Sequence, residues 1–178
     1  ATAKKAPDHM LKGLGDEETF LEIAWRYIHL GFVHILPAGL DHILFILGLF
    51  FFASAWRPLL IQVSLFTLAH TITLALATIG VLQLPPSIVE PLIALSICYV
   101  AVENLFTDQL GRWRMVVIFA FGLLHGLGFA GVLSELGLET GYFVTSLLSF
   151  NVGVELGQLA VLSIAFLTVG WFRQRPGY

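Results

Sequence analysis

The 178-residue sequence is 57% hydrophobic and only 12% charged, with a net charge of -3. Soluble domains have roughly a quarter of their residues charged, so this composition describes a chain that resides in lipid, and its length allows one domain. The small net charge, with no basic run and no aromatic-basic interleaving, excludes a nucleic-acid surface; the expected partners are the lipid bilayer and a small ligand.

In chain order, residues 1–17 read as a polar N-terminal tail with Lys4, Lys5, Asp8, Lys12, Asp16 and Glu17. The chain starts at Ala1 with no charged and apolar leader of its own, so a leader or tag already removed is expected. Residues 18–175 read as a single transmembrane helical domain. From Thr19 to Leu36 the apolar positions Phe20, Ile23, Ala24, Tyr27, Ile28 and Gly31 recur at helical spacing, interrupted by Glu22 and Arg26. They predict an amphipathic helix at the membrane interface, a sixth crossing only if it spans.

Five apolar runs follow, Leu40 to Trp56, Leu59 to Leu82, Ser87 to Phe106, Trp113 to Leu133 and Tyr142 to Phe172. Each is near the roughly 20 residues a bilayer-crossing helix needs. Breakers separate them at Arg57-Pro58, Pro85-Pro86, Asp108 to Arg114 and Ser134 to Gly141. Backbone in lipid must bond to itself, so the predicted fold class is all-α, a polytopic membrane helix bundle of five spans plus the N-terminal amphipathic helix. Cys98 reads as a small buried residue rather than a soft metal ligand, and a single cysteine forms no intrachain disulfide.

Arg57, Arg112, Arg114, Arg173 and Arg175 fall on one side of a five-span topology, while the second and fourth loops contain no Lys or Arg. The positive-inside rule makes that side cytoplasmic and puts the N-terminus on the outer side.

Ionisable residues inside apolar segments cost a few kcal/mol each unless paired or liganded, and so mark function by default. Here they are His34, Asp41, His42, His70, Glu103, His125 and Glu155, a set of imidazoles and carboxylates that suits divalent transition metals. Pro37 and Gly39 break the helix between His34 and Asp41, placing Asp41 in the first turn of a new helix, where the dipole favours its charge. Thr67 and Thr71 flank His70 at helical spacing as hydrogen-bonding supports, and Gly122 and Gly126 beside His125 invite a close neighbouring helix. Asn151 and Glu155, one turn apart, share a face with Gln158 nearby. Glu103 reads as a helix-end carboxylate facing water, and Glu90 lies near the outer end of its helix with His34, Asp41 and His42.

The run His34 to His42 followed by an apolar helix resembles the His-Pro-x-x-Gly-x-Asp-His opening of the HupE/UreJ family of small bacterial membrane proteins. Leu124 to Gly131 and Phe150 to Gln158 are similar to that family's later His-Gly and Gly-x-Glu signatures, and the likeness extends from about Gly31 to Trp171. The resemblance implies a secondary nickel permease associated with hydrogenase or urease maturation, with His34, Asp41, His42, His125 and Glu155 as functional residues. The chain departs from better-known members by one extra residue between the first His and the Asp, and by Phe129 in the neighbourhood of their second fourth-helix histidine. It is closer to a second branch of the family.

The expected metal set is therefore His34, Asp41, His42, His70, His125 and Glu155, with Thr67, Thr71, Glu90, Glu103, Asn151 and Gln158 as supports or pathway residues. Nickel is favoured, while zinc, cobalt, iron and copper also suit such ligands. In a permease the ion would be captured at His34, Asp41, His42 and Glu90 and passed inward to His70, His125 and Glu155. Two other classes stay open: a membrane metalloenzyme holding zinc or iron on the same ligands, and an accessory subunit whose polar residues only pack helices. No H-E-x-x-H, nucleophile motif or P-loop is present. Five or six helices are few for a lone pore, which points to a homo-oligomer.

Overall fold

A computed structural model describes residues 19–52, 55–107, 111–135 and 141–169, side chains 130 and 132–135 excepted. The N-terminal tail 1–17, Asp108 and the C-terminal Arg173 and Arg175 lie outside the described residues. The described chain forms six helices: α1 Phe20–Ile35, α2 Leu40–Phe52, α3 Trp56–Thr78, α4 Pro86–Phe106, α5 Arg112–Glu135 and α6 Phe143–Val169.

Local chemistry sets the ends. Thr19 caps α1 in a capping box, its own amide donating to Glu22 Oε2 at 2.8 Å. Gly80, at φ 79°, supplies the left-handed residue that stops α3 at Thr78, four residues short of the apolar run. Pro86 opens α4, where its missing N–H removes no helical bond.

Four helices, α3 to α6, are long and apolar enough to cross a membrane singly, while α1 and α2 form a pair bent by 69°. At about 1.5 Å per residue the 13-residue α2 reaches only about 20 Å, short of a hydrocarbon core of about 30 Å. The Leu40 run is therefore not a full span by itself.

Packing places its two halves. Gly31 abuts the Phe150 carbonyl and Gly157 abuts Ile35, so α1 runs alongside α6 in the same direction. α1 thus buries the stripe Ile23, Tyr27, Gly31 and Ile35 against the bundle and leaves Phe20, Leu21 and Trp25 exposed. At the other half, Gly48 of α2 meets Val100, and Phe52 covers Arg114 where α5 begins. Counted together as one broken span, α1 and α2 raise the helices able to cross a membrane from four to five among the described residues.

The remaining helices close around this pair. On α5, Gly122 and Gly126 abut the Phe66 and His70 carbonyls of α3, closer than any side chain would permit. Phe45, Leu49, Phe66, Phe150 and Leu162 fill the core, while Leu68, Val102, Leu148 and Leu167 point outward to lipid. Cys98 is also on the outside, contrary to its reading as buried. Arg114 is no loop residue: it is the third residue of α5 and is buried.

Candidate metal centre

Because α1 stops at the Pro37–Gly39 break, its last turn delivers His34 and the first turn of α2 delivers Asp41 and His42 deep inside the bundle. The other helices reach the same depth. His70 lies eight residues before the end of α3, Ser96 ten after the start of α4, His125 ten before the end of α5 and Asn151 eight after the start of α6. At about 1.5 Å per residue these distances are roughly 12 to 15 Å from one face.

Four imidazoles gather there around His42, whose ring centroid is 4.8 Å from His34, 4.9 Å from His125 and 6.0 Å from His70. His34, His42 and His70 form one set of three ligand atoms within 4.8 Å of one another, and Asp41, His42 and His125 form a second. Ligands about 2.1 Å from one ion are at most about 4.2 Å apart, so small side-chain rotations would close either set.

Hydrogen bonds assign the tautomers. Asn151 Nδ2 donates to the Leu147 carbonyl at 2.8 Å, which turns Asn151 Oδ1 towards His70 to accept from its Nδ1 at 3.2 Å. The Ser96 hydroxyl donates to the Ile93 carbonyl at 2.7 Å and its oxygen accepts from His125 Nε2 at 3.1 Å. His42 Nδ1 donates to Asp41 Oδ1 at 3.2 Å. Each bond consumes the proton-bearing nitrogen and leaves the other with its lone pair free, the arrangement a histidine ligand requires. Those freed atoms, Nε2 of His42 and His70 and Nδ1 of His125, are buried without a partner, as is Nε2 of His34. An unsatisfied buried polar atom costs about 1–3 kcal/mol, and the four lie on neighbouring rings whose donor set could hold a metal ion.

The other expected residues are placed differently. Glu155 accepts from the Ser64 hydroxyl at 2.6 Å and belongs to neither set. Glu90 is exposed on α4. Glu103, instead of facing water, is paired with Arg114. Thr71 donates to its own helix at the Thr67 carbonyl at 2.7 Å, and Thr67 donates to Gln158 Oε1 at 3.0 Å, so Asn151 and not a threonine orients His70. Two successive stations, His34 with Asp41 and His42 and then His70 with His125, become one cluster, because the helix break lowers the start of α2 to the depth of His70.

Sequence reading missed Ser96. Its signal was present: Val89, Ile93, Ser96 and Val100 form one buried stripe on α4, and a lone hydroxyl in such a stripe needs a partner. Ser96→Ala and Asn151→Leu are each expected to weaken metal binding by about 10- to 100-fold while leaving the fold intact. Titration with a competing chromophoric chelator checks this; unchanged affinity in both would remove these residues from the site.

A family model described as HupE / UreJ protein matches residues 12–177. No curated protein and no solved structure matches the chain. With every described residue of the bundle, and so all four clustered histidines, inside the matched range, the chain belongs to the HupE/UreJ family.

Proposed function

We propose that the protein is a permease for a divalent transition-metal ion, nickel foremost, in a bacterial inner membrane with the N-terminus periplasmic. The observation that carries this reading is the cluster of four imidazoles around His42, beside a bent helix pair, each ring holding one buried nitrogen without a partner. Unwound segments at membrane depth are tolerated where they line a site, and transporters use such breaks to bind ions.

The ligand chemistry favours passage over storage. Only nitrogen and oxygen donors converge, and the one thiol, Cys98, points away. Imidazoles suit nickel, cobalt, zinc, copper and iron, while hard ions such as magnesium prefer all-oxygen cages. The Asp41 carboxylate offsets one of the ion's two charges, and neutral imidazoles replace its water. We place Asp41, 39% exposed at its side chain, at the entrance and His42 behind it as the shared ligand. A homo-oligomer remains part of this proposal, testable by native mass spectrometry from detergent.

Uptake of radioactive nickel into vesicles containing the purified protein tests the function. Expected is saturable uptake, at least tenfold above protein-free vesicles, that His42→Ala abolishes. Nickel held by the protein in detergent without any uptake would sink the permease reading. In the same preparations Glu155→Gln is expected to retain the full metal content; loss of the metal would return Glu155 to the ligand set.

A further inference from the structure

A second polar knot lies on the opposite side of the bundle core from Asp41. Arg114, 2% exposed, donates from Nε to Gln62 Oε1 of α3 at 3.2 Å, from Nη1 to Glu103 Oε2 of α4 at 2.5 Å, and from Nη2 to Asn104 Oδ1 at 3.2 Å. Its guanidinium carbon lies 3.9 Å from the ring centre of Phe52, the last residue of α2. Asn104 donates to the Gly48 carbonyl of α2 at 2.7 Å, and Gln62 donates to the Pro58 carbonyl at 3.0 Å.

The helices tied here, α2 to α5, are those that bring His42, His70, Ser96 and His125 together. Along the same helices the knot is displaced by ten, eight, seven and eleven residues, to Phe52, Gln62, Glu103 and Arg114. That is roughly 10 to 17 Å deeper at about 1.5 Å per residue. Between the two levels Phe45, Leu49, Val63, Phe66 and Ile118 are each at most 2% exposed. The histidines are thus approached past the half-exposed Asp41 and sealed towards Arg114 by an apolar layer with a charged latch beneath it.

A buried ion pair adds little stability over a well-packed apolar substitute, and its best-attested use is to fix a register or hold one of two arrangements. Its placement matters here: the four contacts of Arg114 join α2, α3, α4 and α5 at one level, so parting them would loosen all four helices there together. The geometry points to Arg114, with Glu103, Asn104 and Gln62, as the inner gate of the metal path, a latch that must open before an ion on the histidines can leave by the Arg114 face. This deepens the permease reading and rests on it.

The test measures access. With Cys98→Ser as parent, Ile118→Cys places a thiol one turn beyond Arg114 on α5, and a membrane-impermeant methanethiosulfonate is applied from the Arg114 face of oriented vesicles. Labelling is expected to be slow in the parent, at least tenfold faster with Glu103→Gln and severalfold faster with Asn104→Ala, each protein holding the same amount of nickel. Equal labelling rates in all three, fast or slow, overturn the gate and leave a structural tie. If Glu103→Gln alone loses nickel, it is set aside as misfolded, and the rate in Asn104→Ala decides. The labelling change without nickel uptake by the parent would refute transport while upholding the access barrier, so the two failures are distinguishable.

Discussion

Replacing His42 by alanine is expected to abolish stoichiometric metal binding, lowering affinity by well over the roughly 100-fold that loss of a supporting group causes. The reason is position. His42 is the only histidine in both sets of three ligand atoms, and its ring touches three others, whereas His34 and His70 belong to one set and His125 to the other. Removing it leaves no described group of three. His34→Ala or His70→Ala leaves the Asp41, His42 and His125 set, and His125→Ala leaves the His34, His42 and His70 set. Both classes should retain an ion at reduced affinity. Elemental analysis of detergent-purified protein after nickel loading reads this hierarchy directly. Metal content in His42→Ala equal to that in His70→Ala would show that the ion is held by a different combination.

The hierarchy could not be read from the sequence, although its members could. Imidazoles and carboxylates stand out in apolar helices because each is costly there unless satisfied, so His34, Asp41, His42, His70 and His125 were legible one by one. Their depths were legible only in part. Pro37 and Gly39 announce a break, but whether the chain turns at the surface or deep in the bundle depends on what α1 packs against. That is decided by the fit of Gly31 and Gly153 against the backbones of Phe150 and Ile28.

Helix rotation was the least legible quantity. In water an amphipathic stripe reports which face is inward. In this bundle both the lipid face and the core face are apolar, so periodicity is nearly silent on α3 to α6, and it could not say that Glu155 meets Ser64 while Asn151 meets His70. The same silence hid Arg114, whose charge reads as a loop marker until Gln62, Glu103 and Asn104 are seen converging on it. Cys98 is the reverse case, an apolar-looking residue taken as core that faces outward.

Glycine at 126 holds the centre together, and Gly126→Val is expected to destroy it without touching a ligand. A side chain there would collide with the carbonyl of His70 and the hydroxyl of Thr73, and neither can retreat, since one is helix backbone and the other is bonded back to the Ala69 carbonyl at 3.3 Å. The α5 helix must therefore move away from α3, carrying the adjacent His125 away from His42 and from the Ser96 bond that assigns its tautomer. Overpacking of this kind costs about 1–3 kcal/mol and occasionally more, enough to lower the unfolding temperature of the detergent-solubilised protein by several degrees. Metal affinity should fall further than stability, because ligand geometry fails at displacements that packing tolerates. Gly131→Ala on the same helix is the control, since a β-carbon there meets nothing within 4 Å, and both its unfolding temperature and its nickel content should match the parent. If Gly126→Val bound nickel as tightly as Gly131→Ala, the close approach of α3 and α5 would not be what aligns the histidines, and His125 would have to be removed from the centre.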